Sequence, residues 1–193
     1  MNFITQTLMN SMLLVVDNGS VFTAKISEIL LKHNREFNVI PFGQVTDSDL
    51  EKSNAIILSG RRQNDQKMNV INSEIINHVI SEKKSLLGIC YGAEILALTL
   101  GGTIRRLTNT VKGIHTVNIS EPNPISEKDI EVYQSHSYEI AKLGSNLQSF
   151  ARSNTCQHEI IKHISLPIFG TQFHPEMSKD GQLLIESFLK IIH

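Results

Sequence analysis

Short apolar runs and amphipathic stretches alternate along the first half of the chain. Three runs have the length and apolar content of buried parallel strands: Leu13–Val16, Phe37–Pro41 and Ala55–Leu58. Two of the stretches between and after these runs have apolar residues at helical spacing: Phe22, Ile26, Ile29 and Leu30 in the first, and Val70, Ile71, Ile75, Val79 and Ile80 in the second. Regular alternation of strand and helix predicts a parallel, doubly wound sheet.

The pattern changes after Leu100, where Gly101-Gly102 ends a helix. Short segments with alternating or β-branched character follow, and they predict six strands: Thr103–Arg106, Ile114–Ile119, Ile130–Tyr133, Leu147–Ala151, Glu159–Ile164 and Ile168–Gln172. The mostly polar stretch Thr108–Lys112 predicts a mobile loop. A last helix is expected at about Asp180–Ile192. The second half of the sheet is therefore predicted to be antiparallel or mixed.

The length of the chain and the lack of a linker segment predict one domain. The chain has 193 residues, enough for one α/β domain with a sizeable core. It contains no internal repeat, low-complexity segment or linker. We therefore expect a single domain over residues 12–193, preceded by a frayed extension at Met1–Ser11.

Charge and cysteine content exclude several classes of protein. A net charge of −1 gives no electrostatic reason to expect nucleic acid or an anionic membrane as a partner. No apolar run is long enough to span a bilayer, and the N-terminus lacks the pattern of a secretory signal. Two cysteines, Cys90 and Cys156, do not make a disulfide framework, so the reducing cytoplasm is the expected location.

The strand–turn–helix at Ser85–Leu98 carries the first chemical motif, Gly-x-Cys-x-Gly at Gly88, Cys90 and Gly92. This context is typical of a nucleophile elbow, in which a side chain at these glycine positions would clash with the crossing backbone. Because a helix begins directly after Cys90, its dipole predicts a lowered thiol pKa and a thiolate at neutral pH. The alternative is a buried structural cysteine, a common environment for this residue type.

A second motif follows the last predicted strand, where the sequence reads F-H-P-E. His174 and Glu176 are two residues apart, so in an extended segment they point to the same side. A nucleophilic cysteine needs a nearby base and a third group that orients the base. Cys90, His174 and Glu176 would fill these roles. Alternatively, His174 is a surface residue in a loop and Glu176 is a carboxylate at a helix start.

Together, G-I-C-Y-G at residues 88–92 and F-H-P-E at residues 173–176 closely resemble the motifs of the class I glutamine amidotransferases. The resemblance runs from Met12 to the last helix. It implies a three-layer αβα, flavodoxin-like fold with a mixed, mainly parallel central sheet between helices. This expectation agrees with the pattern of strands and helices described above.

The resemblance also implies an activity, the hydrolysis of the glutamine side-chain amide. By the family pattern Cys90 is the nucleophile, His174 the general base and Glu176 its orienting carboxylate, while the backbone N–H groups of Gly60 and Tyr91 form the oxyanion hole. Glutamine is the implied substrate, with no cofactor and no metal. The chain has no phosphate-binding loop, so the ammonia would pass to a separate synthetase, an ATP pyrophosphatase.

Within the family, three segments are most similar to the group of amidotransferase subunits from two-subunit archaeal GMP synthases: Val16–Gly19, the G-I-C-Y-G motif and Ala151–Gln157. This similarity implies that the chain supplies the ammonia for the conversion of XMP to GMP. Ser135-His136 stands where the group has a pair of residues lining the glutamine pocket. A stand-alone γ-glutamyl hydrolase and a binding or regulatory subunit without turnover remain as alternatives.

Three positions depart from the pattern. Glu94 replaces a glutamine that contacts the substrate, Gly60-Arg61-Arg62 replaces Gly-Gly-Pro, and Met177–Asp180 replaces a segment with a His-Thr pair. A carboxylate at Glu94 is expected to disfavour a Cys90 thiolate. We hypothesise that Arg61 or Arg62 pairs with Glu94 and rebuilds the pocket. The alternative is that both arginines are solvated loop residues.

Cys156, His158 and His163 do not have a complete metal-ligand spacing. We therefore expect a structural role for these three residues and no metal site.

Overall fold

The structure is a computed structural model that describes residues 12–192. The expected extension at Met1–Ser11 lies outside the described residues. The first half of the chain alternates strand and helix as predicted: β1 Met12–Asn18, α1 Thr23–Lys32, β2 Phe37–Pro41, a 3₁₀ turn at Phe42–Gln44, α2 Asp47–Lys52, β3 Ser53–Arg61, α3 Gln66–Ser81, β4 Ser85–Ile89 and α4 Tyr91–Thr99.

The second half contains strands of very different length: β5 Thr103–Ile119, β6 Ile130–Lys142, β7 Leu147–Arg152, β8 Ile160–His163 and β9 Ile168–Thr171, followed by a 3₁₀ turn at Pro175–Met177 and the helix α5 Lys179–Ile191. The predicted loop at Thr108–Lys112 is wrong, because these residues belong to β5. A shift in the pairing of β5 with β6 between Arg106 and Val111 accommodates the polar stretch.

The nine strands of the described residues lie in one sheet in the order β2-β1-β3-β4-β9-β8-β7-β5-β6. The pairs from β2 to β9 are parallel. The pairs from β9 through β8, β7 and β5 to β6 are antiparallel. This confirms the predicted mixed α/β sheet, and it makes β9 the strand at which the two kinds of pairing meet.

Two apolar cores cover the two faces of the sheet. Successive residues of β1 point into opposite cores: Leu13 and Val15 pack in the first core, and Leu14 and Val16 pack in the second. Helices α1 and α5 close the first core, while α3 and α4 close the second. The result is the expected arrangement of a sheet between two helical layers.

The apolar face of one helix differs from the prediction. On α3, Val70 is 53% exposed and Ile76 is fully buried. This helix has apolar residues on more than one side, so the helical period alone does not identify the buried side. In residues 12–192 no helix is both long and apolar enough to cross a membrane.

Candidate active site

Cys90 lies at the sharp turn between β4 and α4. Its φ is 51° and its ψ is −102°, a strained conformation for a residue with a side chain. A Cβ added at Gly88 would lie 2.5 Å from the carbonyl oxygen of Gly92, and one at Gly92 would lie 2.4 Å from that of Leu58. The predicted reason for the two glycines is confirmed, and the turn has the geometry of a nucleophile elbow.

Backbone hydrogen bonds hold this turn against β9. The Cys90 N–H donates to the Thr171 carbonyl at 2.7 Å, and the Cys90 carbonyl accepts from the Ala93 and Glu94 N–H groups, both at 3.0 Å. Since β4 and β9 are parallel neighbours, the turn after β4 and the segment after β9 emerge at the same edge of the sheet. His174 is in that segment.

His174 is buried, makes hydrogen bonds with Tyr133 and Glu176 and lies close to Gly60. Its backbone N–H donates to the Tyr133 carbonyl at 2.9 Å. Its ring Nδ1 lies 2.9 Å from Glu176 Oε1, and both side chains are buried. A Cβ added at Gly60 would lie 2.8 Å from His174 Cε1 and 3.7 Å from Cys90 Cβ. The structure thus brings Cys90, His174, Glu176 and Gly60 together.

The protonation of Cys90 differs from the prediction. Burial raises the pKa of the Cys90 thiol, and the charges of Glu94 and Glu176 raise it further. The charge of His174 and a hydrogen bond with its ring lower the same pKa but do not outweigh burial. The predicted lowering of the thiol pKa by the helix dipole is therefore wrong, because the prediction left desolvation out.

The protonation of His174 is tied to that of Cys90. Burial lowers the pKa of His174, but the charge of Cys90 and hydrogen bonds to Cys90 and Glu176 raise it to about 10. The charge contribution exists only when Cys90 is a thiolate. The proton therefore belongs to the pair, and His174 is positively charged when Cys90 is negatively charged.

One contact of His174 was missed by the sequence analysis. The Phe22 ring lies edge-on to the His174 ring, with centroids 4.8 Å apart, and it also meets Tyr133 edge-on at 5.8 Å. Phe22 was expected on the core face of a helix, but it is the N-cap of α1. The local pattern does not distinguish a core aromatic from one that supports a histidine distant in sequence.

The hypothesis that Arg61 pairs with Glu94 is confirmed. Arg61 Nη2 lies 3.6 Å from Glu94 Oε2, while Arg62 is exposed. The Arg61 guanidinium also lies 4.2 Å from the centre of the Tyr91 ring. Burial raises the pKa of Glu94, and the charge of Arg61 partly offsets this.

A cavity of about 570 Å³ opens above Cys90. Its walls include the predicted residues Cys90, Tyr91, His174, Arg61, Glu94, Ser135 and His136. Ser20 also lines it and was not predicted, and Thr110 lines it from the polar stretch Thr108–Lys112. Among the described residues, no three His, Cys, Asp or Glu side chains are placed to hold a metal ion.

The sequence matches a known family over most of its length. Residues 14–191 match the sequence model of the family described as glutamine amidotransferase class-I. One of the subunits of the glutamine-hydrolyzing GMP synthase of Pyrococcus furiosus is 31% identical over 186 residues, which cover 93% of this chain and 98% of that one. The corresponding chain of the Methanocaldococcus jannaschii GMP synthase is 28% identical, covering 93% and 97%.

Solved structures agree with the fold. A putative GMP synthase subunit from Thermoplasma acidophilum superposes with a TM-score of 0.85 at 26% identity, covering 94% of this chain and 93% of that one. A glutamine amidotransferase from Thermotoga maritima gives a TM-score of 0.77 at 18% identity, covering 94% and 84%, which supports the fold alone. With the family match over residues 14–191, these findings show that the chain belongs to the class I glutamine amidotransferases, a family of enzymes.

Proposed function

We propose that this chain is the glutaminase subunit of a two-subunit GMP synthase. It hydrolyses the side-chain amide of glutamine in the cytoplasm and delivers ammonia to a separate ATP-pyrophosphatase subunit, which converts XMP to GMP. Its similarity to the Pyrococcus furiosus protein over nearly its whole length supports this assignment. The observation that carries it is the meeting of Cys90, His174 and Glu176 at one buried point.

In the proposed reaction, the Cys90 sulfur attacks the carbon of the glutamine carboxamide while His174 takes the thiol proton. Glu176 holds the ring through Nδ1, which leaves Nε2 for this transfer. His174 then returns the proton to the nitrogen as the C–N bond breaks, which releases ammonia and leaves a γ-glutamyl thioester. Water, deprotonated by His174, attacks the thioester to give glutamate and regenerate the thiol.

The tetrahedral intermediate carries negative charge on oxygen and needs fixed N–H donors. We assign this role to the backbone N–H groups of Gly60 and Tyr91. Tyr91 is the first residue of α4, so its N–H has no partner within the helix. Gly60, the next-to-last residue of β3, lies directly against His174, where a side chain would not fit.

Arg61 and Glu94 would bind the amino-acid head group. Glutamine carries an α-carboxylate and an α-ammonium group, and the cavity offers one opposite charge for each. Ser135 and His136 line the same cavity. In this arrangement the carboxylate at Glu94 replaces the usual glutamine as the partner of the ammonium group.

The same pair favours a second candidate, hydrolysis of a different γ-glutamyl compound without a partner enzyme. The charges of Arg61 and Glu94 stand where the family has neutral groups, so the preferred head group could differ from that of free glutamine. Dependence on a synthetase separates the two functions, because only the first requires one.

The test is release of glutamate from glutamine, with and without an ATP-pyrophosphatase subunit of GMP synthase supplied with XMP and ATP. We expect low activity alone, stimulation by the partner and no activity in Cys90→Ala. Added ammonium should restore GMP formation in the mixture containing Cys90→Ala, which shows that the partner is intact. Equal glutamate release with and without the partner would favour the hydrolase, and no release in either case would refute both.

A further inference from the structure

Three buried side chains form a hydrogen-bonded array that runs from the cavity wall into the interior. His136 Nε2 lies 2.9 Å from Gln134 Oε1, and Gln134 Nε2 lies 2.8 Å from Glu159 Oε1. His136 is 5% exposed, while Gln134 and Glu159 are fully buried. The array thus connects a wall of the cavity with a carboxyl group that has no access to solvent.

One end of the array is fixed by the backbone. His136 Nδ1 lies 2.7 Å from the carbonyl oxygen of Tyr138, which can only accept a hydrogen bond. Nδ1 therefore carries a hydrogen in every state. Whether Nε2 also carries one depends on the group of Gln134 that faces it.

The amide of Gln134 links the two titratable ends. If its oxygen faces His136, Nε2 must donate, so His136 is an imidazolium and the amide NH₂ faces a Glu159 carboxylate. If the amide is turned by 180°, its NH₂ donates to a neutral His136, and its oxygen must accept from a protonated Glu159. Turning one amide is thus equivalent to moving one proton from His136 to Glu159.

In the same region, the side-chain amide of Gln172 has an orientation that its hydrogen bonds fix. Its Oε1 accepts from the Ile140 backbone N–H at 3.1 Å, so its Nε2 must donate, and it does so to Glu94 at 3.3 Å. Within the described part of the chain, the Gln134 side chain hydrogen-bonds to the two titratable groups alone, and no backbone donor fixes it. The orientation of the Gln134 amide therefore depends on whether His136 or Glu159 carries the proton.

Burial decides between the two states. The first places a positive and a negative charge in the interior with an uncharged amide between them, and the second places no charge there. We propose that the array rests in the second state, with the proton on Glu159 and the NH₂ group of Gln134 facing His136. The wall of the cavity near His174 is then electrically neutral.

The groups around the array are consistent with this state. Burial lowers the pKa of His136, and the positive charges of His174 and His115 lower it further, while the Tyr138 carbonyl and Glu139 raise it. Burial raises the pKa of Glu159, as does the charge of Glu139, while Ser153, Gln134 and His115 lower it. Cys156 also faces Glu159, and Arg105 pairs with Glu139.

The catalytic consequence rests on the proposed function. His174 becomes an imidazolium each time it takes a proton from Cys90 or from water. A second positive charge on His136 would oppose that step, since His174 and His136 influence each other's ionisation. Glu159 is thus a positioning residue, which acts through Gln134 to keep His136 neutral.

The test is ¹⁵N NMR of the histidine rings in the intact protein, at pH values on both sides of about 6.5, the ordinary pKa of histidine. His136→Gln assigns the signals. We expect His136 to show one protonated nitrogen, Nδ1, and one unprotonated nitrogen, Nε2, throughout. Two protonated nitrogens in the wild type at neutral pH would overturn the proposal. This measurement requires no activity, so it is independent of the proposed reaction.

Glu159→Gln sharpens the test, because glutamine can donate to Gln134 as a protonated glutamate does. We expect the His136 signals to keep the wild-type protonation pattern in this variant. If Glu159 is a carboxylate in the wild type, the substitution instead removes a proton from His136 and shifts its Nε2 signal strongly. In the infrared, Glu159→Gln should remove the carbonyl band of a protonated carboxyl group. Glu127→Gln, which removes a carboxyl group at an exposed position, should leave that band in place.

Discussion

At the scale of single residues, the site is defined by what surrounds Cys90. The strained turn was predictable, because a glycine lies two residues before the cysteine and another two residues after it, where a side chain would meet the crossing backbone. The effect of Glu94 on the thiol was also predictable and is confirmed, but the pKa of the thiol depends most on burial, which only the fold determines. Arg61 is an intermediate case. Its pairing with Glu94 followed from two departures from the family pattern that compensate each other in charge.

Substitutions in the Arg61–Glu94 pair should move the pKa of Cys90 in opposite directions. Glu94→Gln removes a negative charge that raises this pKa, so Cys90 should react with iodoacetamide at lower pH than in the wild type. Arg61→Met removes the positive charge that offsets Glu94, so over the pH range in which Glu94 is ionised the reaction should require higher pH. The pH profile of the alkylation rate measures both. Shifts in the same direction would contradict the assigned charges.

At the scale of elements, the site depends on the arrangement of β3, β4 and β9. Gly60, the next-to-last residue of β3, lies against Cys90, which follows the adjacent strand β4, and against His174, which comes after β9 on the far side of β4. The order of these strands was not predictable, because β9 is inserted beside β4 from the far end of the chain. The same holds for β5, whose polar stretch resembled a loop because the bulge that accommodates it is a property of its pairing with β6.

Gly60→Ala should separate the reactive groups without unfolding the protein. The added Cβ would lie 2.8 Å from His174 Cε1, so the ring must move, and a displacement of this kind lowers kcat by about 100-fold. Gly43→Ala is the matched control, since its Cβ would meet nothing within 4 Å. Steady-state glutaminase kinetics and thermal melting measure the two effects. Equal kcat in the two variants would show that Gly60 does not set the position of His174.

At the scale of the whole molecule, buried acids make stability depend on pH. If Glu159 is protonated in the folded protein, its pKa lies above the value of about 4.5 that applies to the unfolded chain. A group with a raised pKa contributes its full stability below the unfolded value. That contribution is lost as pH rises, because unfolding then releases a proton.

Glu159→Gln should therefore remove one component of this pH dependence. Between pH 4.5 and neutral pH, the free energy of unfolding of the wild type should fall relative to that of the variant by up to about 1.4 kcal/mol per pH unit. Urea unfolding at several pH values measures this slope. The exposed Glu127→Gln should run parallel to the wild type. A constant difference between the wild type and Glu159→Gln would mean that Glu159 does not bind a proton in the folded state.

The reactive groups of the site come from different parts of the sheet. The sulfur comes from the parallel half, and the imidazole and carboxylate follow the strand that joins it to the antiparallel half. A break in the connection between β5 and β6 would leave neither fragment with complete chemistry. Turnover recovered on mixing the two fragments would then measure how well they assemble into one sheet, so the activity would report on the assembly of the fold.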